Sequence, residues 1–332
     1  MKTTTLGAKI VMSVTLGIAA AFPQLAQASD TWPSQPMRWI LPFPPGNGAD
    51  VVSRLIADKI AQETGQPVVV QNLPGGGGTI GIESFIRQAP DGHTFTVASV
   101  SPITVLPAVS SSLRYDPMTQ LAPVALLAGG PNVIIANNDF PVKSIADLGD
   151  YCRKNPGKAT ISSLGYGTAS HITSRVIAKT LGCDLIEVPY KGSSQALADL
   201  MGGHVNLQND SLQSTLSQIK SGNVTPLAVT SLNRSSLLPD VPSVSEMVKG
   251  LENFQYEGWI GVFAQRGMSP DNIERMNRIL LKAIQEPDVQ KALTSISLTP
   301  ASPNTADEFR QFVARDFEKW KTLSNEHDIK VN

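Results

Sequence analysis

The chain has 332 residues, 41% of them hydrophobic and 17% charged, with 27 Lys and Arg against 28 Asp and Glu. This composition is globular rather than disordered, and a net charge of −1 without a basic run speaks against a nucleic-acid partner, which would need a clustered cationic face. Any anion the chain holds must then be gripped by local dipoles, because the field of the whole molecule is close to neutral.

The chain opens on an address. Lys2 and Lys9 precede an apolar run from Ile10 to Phe22, and Ala26-Gln27-Ala28 supplies a small-x-small cleavage pattern, which together read as a secretory leader over residues 1–28. The run of 13 residues is short of the roughly 20 that a membrane helix needs. No Cys follows the cleavage site to signal a lipid anchor, so a soluble product in the periplasm is expected. The remaining 304 residues can fill one large domain or two of ordinary size. Cys152 and Cys183 sit near the ends of consecutive predicted helices in a disulfide-permitting compartment; a bond between them and a pair of buried free thiols are both open.

Strand and helix then alternate almost throughout. Residues 38–41 read as a strand and 51–62 as a helix with Val52, Leu55, Ile56 and Ile60 on one face. A strand at 67–71, a helix at 80–88, the Ala89-Pro90-Asp91-Gly92 turn and a strand at 94–100 follow. Two apolar runs between Val124 and Ala136 are broken by Gly129-Gly130-Pro131, a plausible hinge. Ser144 to Asp147 reads as a capping box. It opens a second series: strand 159–163, helix 170–181, strand 185–188, helix 193–201, strand 205–208, helix 212–220 and strand 227–230. A strand at 256–263 and helices at 271–285 and 305–323 end the chain, the last with a core stripe of Phe309, Phe312, Val313, Phe317 and Trp320. Such alternation predicts an α/β fold of two lobes, each a mostly parallel sheet flanked by helices. Residues 29–128 plus 250–332 are expected to form the first lobe and 129–249 the second, with crossings near Val124 to Val133 and Thr230 to Phe254.

In parallel sheets ligands collect at the carboxyl ends of strands. Two loops there share one layout: Pro42-Phe43-Pro44-Pro45-Gly46-Asn47-Gly48-Ala49-Asp50 and Asn72-Leu73-Pro74-Gly75-Gly76-Gly77-Gly78-Thr79 each leave a strand and enter a helix. Prolines stiffen them, glycines let backbone N–H groups turn toward one point, and the helix start adds about half a positive charge. This is an anion cradle that needs no Lys or Arg, with Asp50 expected to cap its helix. The second lobe offers Tyr166, Gly167, Thr168, Ser170 and His171 between strand and helix; Thr168 and Ser170 are the better ligand contacts, His171 being equally suited to a structural role. Asp210 is placed just after a strand, at its tip, and Ser99 and Ser101 end the third strand, where they could line the cleft.

These loops belong to a longer pattern. Trp32-Pro33-Ser34-Gln35-Pro36, Tyr115-Asp116-Pro117, Val188-Pro189-Tyr190-Lys191-Gly192, Leu227-Ala228-Val229-Thr230-Ser231 and Leu238-Pro239-Asp240-Val241-Pro242 accompany them, and the whole mature chain resembles the Bug-type, TctC-like extracytoplasmic receptors of tripartite tricarboxylate transporters. The resemblance implies a two-lobed periplasmic-binding-protein fold of the Venus-flytrap kind, type II-like, that closes on a carboxylate without a cofactor or metal. It implies a monomer that serves a membrane transporter, and contacts carried over onto Phe43 to Asp50, Gly75 to Thr79, Gly167 to His171 and Asp210. Asn47 stands where glycine is usual, so its amide could enter the cleft, and Leu73 and Gly76 replace the commoner Arg and Ala. The missing Arg makes highly charged tricarboxylates less suitable, and two cradles on the first lobe opposite Thr168 and Ser170 on the second favour a dicarboxylate, aliphatic or aromatic such as terephthalate.

An enzyme reading has less support. Gly76-x-Gly78-x-x-Gly81 fits the dinucleotide fingerprint, but Ser99, Val100 and Ser101 stand where its acidic partner belongs. No Gly-x-Ser-x-Gly is present, and His93, His171, His204 and His327 show no metal-ligand spacing. A stand-alone sensory protein would share the binding mechanism and differ only in its membrane partner.

Overall fold

The computed structural model describes residues 1–3 and 32–329, so most of the expected leader lies outside the described residues. Among those described, no helix is long and apolar enough to cross a membrane.

Strand β1 (Met37–Leu41) leads to helix α1 (Gly48–Thr64), β2 (Val68–Asn72) to α2 (Thr79–Ile86), and β3 (Thr94–Ser99) to a π-turn over Ser101–Val105 and the short α3 (Leu106–Val109) and α4 (Pro117–Gln120). β4 (Leu121–Ala136) comes next, then α5 (Ile145–Lys154), β5 (Thr160–Ser163), α6 (Ala169–Leu181), β6 (Ile186–Pro189), α7 (Ser193–Met201), β7 (Leu207–Ser211), α8 (Leu212–Lys220), β8 (Thr225–Val229) and α9 (Val244–Met247). The chain ends with β9 (Glu257–Gln265), α10 (Pro270–Gln285), α11 (Pro287–Ser295), β10 (Thr299–Pro300) and α12 (Ala306–Glu326).

The sheet is mixed where mostly parallel pairing was expected. β1 pairs in parallel with β2 and β3, and β5 with β6 and β7, while β4 and β9 insert antiparallel between these groups. The Gly129-Gly130-Pro131 segment does not break β4, which runs through it for 16 residues. The glycines are there for close packing: a Cβ on Gly129 would lie 2.8 Å from the Gly258 carbonyl, and one on Gly130 would lie 3.1 Å from that of Ser297. Just beyond them β4 changes partners. Leu121 to Pro131 pairs with β9, and Asn132 to Ala136 pairs with β7 and β8. One strand therefore belongs to two half-sheets, and the expected lobe boundary at residue 128/129 falls inside it.

Helices cover both faces because the strands alternate. Trp39 and Leu41 join Val52, Ile56 and Ile60 of α1 and Met276, Leu280 and Ile284 of α10, whereas Ile40 joins Ile82 and Phe85 of α2 and Phe309, Val313 and Trp320 of α12. In the second half-sheet Ile134, Ile161 and Leu207 meet Ile172 and Val176 of α6, while Val133 and Ile135 meet Leu197, Leu200 and Leu212 of α7 and α8. Ser144 caps α5 by accepting from the Asp147 N–H at 3.2 Å, but the Asp147 carboxylate accepts from Lys143 rather than Ser144, so the capping box is not closed. Cys152 on α5 and Cys183, just past the end of α6, are joined by a disulfide with a Cα–Cα distance of 5.1 Å.

Candidate functional site

Parallel pairing puts the C-terminal ends of β1, β2 and β3 at one edge of the first half-sheet. The loop after β1 is closed by Asn47, whose extended backbone (φ −76°, ψ 169°) lets its Oδ1 accept from the Asp50 N–H at 2.9 Å. Asn47, not Asp50, is thus the N-cap, and its carbonyl oxygen serves the helix rather than the cleft. Asp50 is instead a buried tie, 4% exposed. Its carboxylate accepts from the Gly46 N–H (2.9 Å), from Arg54 Nη2 (2.9 Å) and from Asn72 Nδ2 (2.9 Å). Asn72 also donates to the Phe43 carbonyl at 3.0 Å and accepts from Arg54 at 3.1 Å. Both loops are therefore pinned to one carboxylate. Burial pushes that carboxyl up, but Arg54, Gly46 and Asn72 together outweigh it and hold it below the usual range.

The second loop is a run of left-handed glycines: Gly75, Gly76, Gly77 and Gly78 have φ of 132°, 59°, 65° and 104°. Only glycine sustains such a run, and it winds the backbone into a concave turn closed by a 3.0 Å bond from the Gly78 N–H to the Gly75 carbonyl. Thr79 is the first residue of α2, with Gly78 in the cap position. Among the described residues no protein acceptor takes the N–H groups of Gly48, Ala49, Gly76 or Gly77. These are the free donors of the first wall.

The second half-sheet faces them directly. A Cβ built on Gly77 would lie 3.3 Å from Thr168 Cγ2, one on Gly48 would lie 3.4 Å from Gln213 Oε1, and one on Gly192 would lie 3.9 Å from Pro44 Cγ. Ser101 accepts a hydrogen bond from the Ala169 N–H at 3.2 Å, which joins the π-turn to the start of α6. Ser99, at the end of β3, is half-buried.

The start of α6 is largely satisfied from within. Thr168 donates its hydroxyl to the Gly165 carbonyl (2.7 Å), accepts from the His171 N–H (3.4 Å) and lies 3.2 Å from Ser170 Oγ. Its hydroxyl proton is therefore already placed. The Gly167 N–H donates to His171 Nδ1 at 3.0 Å, which assigns the proton of a neutral His171 to Nε2. That nitrogen lies 2.9 Å from Glu187 Oε2, without in-line hydrogen-bond geometry, and both side chains are buried. His171 thus shapes its own loop, and Tyr166, 57% exposed, stands edge-on to it at 5.5 Å.

The sequence places a helix at 193–201, now α7, but its start was not among the expected contacts. Its first residue follows Gly192, which has no side chain to cap it, and the Ser193, Ser194 and Gln195 N–H groups have no acceptor among the described residues. With Gly192 against Pro44, this bare helix start faces the first loop, and a helix opened by glycine rather than Ser, Thr or Asp was the available signal.

Comparison with known proteins settles the family. The pattern of the tripartite tricarboxylate transporter family receptor, TctC, matches residues 52–329. The chain belongs to this receptor family. The receptor is 33% identical over 322 residues to protein BugT of Bordetella pertussis, an alignment that covers 97% of this chain and 96% of BugT. Rpa4515 of R. palustris, solved with adipate, superposes with a TM-score of 0.84 at 27% identity, covering 90% of this chain and 99% of that one. MatC of Rhodopseudomonas palustris, solved with malate, superposes with a TM-score of 0.82 at 28% identity, covering 88% and 99%. The fold is that of a periplasmic binding protein, and family and fold are those of solute-binding receptors.

In the receptor Asp210 lies within β7 rather than beyond its tip, because that strand runs to Ser211 instead of ending at Gln208. It is 2% exposed. Burial pushes its carboxyl above the usual range, against hydrogen bonds from Ser193, the Ser211 N–H and Gln208. The ionised form is therefore penalised in the folded state, and the penalty is present above the raised value and vanishes below about pH 4, where the unfolded chain also protonates. Asp210→Asn removes the penalty, and turning over the Gln208 amide, whose Nε2 now donates to Asp210, brings its unpartnered Oε1 round to accept from the new amide. The variant should melt above the wild type at neutral pH, with the gap shrinking as pH falls. Thermal midpoints across that range check this; a gap that widened on acidification would show the sign to be wrong.

Proposed function

We propose that the receptor captures a small carboxylate in the periplasm, preferring a dicarboxylate, aliphatic or aromatic such as terephthalate. It closes its half-sheets on the ligand about the two crossings and presents it to a membrane transporter of the tripartite tricarboxylate type. The observation that carries this reading is the set of unpaired N–H groups at Gly48, Ala49, Gly76 and Gly77, tied together by Asp50 and Asn72, opposite the uncapped start of α7. Backbone donors at helix starts suit an anion, and Arg54 cannot serve as a free cation because Asp50 neutralises it. The ligands named for Rpa4515 and MatC, adipate and malate, are both dicarboxylates, which supports the same class here.

A ligand holds the cleft closed only by binding the closed form better than the open one. One carboxylate would satisfy the first wall and leave donors of the second without a partner once closure excludes water, at roughly 1–3 kcal/mol each. A second carboxylate meets them, with Phe43 and Tyr166 beside the spacer. Calorimetric titration of refolded, ligand-free protein should therefore show each diacid binding at least about tenfold more tightly than its monoacid, about 1.4 kcal/mol. Suitable pairs are adipate with hexanoate and terephthalate with benzoate, and small-angle scattering should show the particle contract on saturation. Monoacids that bind as well as diacids would mean that the second wall recognises something other than a carboxylate.

A further inference from the structure

The receptor's two chain crossings are clamped by one residue. Thr230, fully buried, donates its N–H to the Asn132 carbonyl at 3.0 Å and its hydroxyl to the Tyr256 carbonyl at 2.8 Å. It accepts the Asn132 N–H on its hydroxyl at 2.9 Å and the Tyr256 N–H on its carbonyl at 2.7 Å. Asn132 is the residue at which β4 passes from β9 to β7. From that point Asn132 Nδ2 donates to Asn209 Oδ1 at 3.0 Å. Asn209 Nδ2 reaches Thr173 Oγ1 (2.7 Å), Ser174 Oγ (3.0 Å) and the Ser170 carbonyl (3.2 Å) on α6. The amide orientation follows from chemistry, since the Ser170 carbonyl can only accept. Asn209 is 1% exposed.

We infer that Asn209 is a positioning residue: through Asn132 and Thr230 it couples the crossings between the half-sheets to the first turn of α6, the turn that faces Gly77 and Ser101. This rests on the closure reading above. A rotation about Asn132 and Thr230 carries the Asn209 amide with it, and the amide carries the Ser170 carbonyl. Each link is buried and paired, so a broken link leaves a donor or acceptor without water to replace its partner. The network couples the sites because each contact joins a residue of one element to a residue of the next, from β4 through β7 to α6.

Amide hydrogen exchange of the ligand-free full chain tests the inference without a ligand. Asn209→Leu, close in shape and apolar, should speed exchange of the 168–174 segment by at least about tenfold, the ratio that about 1.4 kcal/mol gives, while the remainder of α6 keeps its protection. The deciding variant is Thr230→Val, because Thr230 shares no hydrogen bond with α6. It should produce the same local acceleration, and Thr230→Ser, which keeps the hydroxyl, should not. If Thr230→Val leaves the 168–174 segment at the wild-type rate, the coupling is absent and the inference fails; this outcome stays readable even if Asn209→Leu does not fold. A pair of spin labels, one on α1 and one on α8, reports closure separately. An inter-label distance unchanged by saturating adipate and terephthalate would remove the closure reading and leave the exchange result standing.

Discussion

Gly77→Val should reduce the receptor's affinity for its carboxylate by at least about 100-fold, about 2.7 kcal/mol, while the protein remains folded. Two effects act together there. The backbone is left-handed at φ 65°, which a β-branched residue resists. A Cβ would also lie 3.2 Å from Leu106 Cδ1 and 3.3 Å from Thr168 Cγ2, so the added bulk wedges between the two walls. Gly46→Val carries only the first effect, since its φ is 82° but nothing lies within 4 Å of its Cβ, and its loss should be smaller. Lys191→Ala, which removes an exposed charge, should leave affinity within about threefold, well under 1 kcal/mol. Calorimetry with the tightest diacid, paired with a thermal melt of each variant, ranks the three. If Lys191→Ala abolished binding and Gly77→Val did not, the grip would be a matter of charge rather than of backbone donors.

The largest change in stability is expected at the Cys152–Cys183 bond, where the Cys152→Ala/Cys183→Ala double variant should lose about 3–4 kcal/mol. The bond closes a loop with a sequence separation of 31, and in the chain-entropy treatment a loop of that size restricts the unfolded ensemble by this amount. Both cysteines are buried, at 4% and 7% exposure, so Ala also leaves a small void. Denaturant unfolding of wild type and variant, each followed to a reversible baseline, gives the difference. Equal midpoints would mean that the unfolded chain is already restricted between α5 and α6. Ligand affinity should change little, because the bond lies at the far end of α6 from Thr168 and Ser170.

The strand-and-helix order and both glycine loops were legible because they rest on local rules: hydrophobic period, proline stiffness and left-handed glycine. What escaped was the part that depends on pairing across the chain. The sequence of β9 cannot announce that it will run antiparallel between β3 and β4, and so the mixed sheet was misread as mostly parallel. Gly129 and Gly130 carry the composition of a hinge, yet they serve close approach to Gly258 and Ser297, a contact set by residues more than a hundred positions away. The site shows the same division. The left-handed glycine backbone of the second loop was readable, but which polar side chains are engaged within the protein was not. Asp50, Asn47 and Thr168 all have the chemistry of contacts, and all three are engaged by neighbours, Arg54 and Asn72 among them. Gln213 and the start of α7 became candidates only once Gly48 and Pro44 were seen opposite them.

The shared strand also sets the order in which the molecule can be built. β3 finds a partner on its inner side only in β9, with Thr96 opposite Phe263, and β4 likewise waits for β9 along Leu121 to Pro131. The helices that cover this half-sheet, α10 and α12, are made later still. Contacts so distant in sequence form slowly, after their loop-closure entropy has been overcome. The first half-sheet therefore has no complete core until nearly the whole polypeptide has left the ribosome.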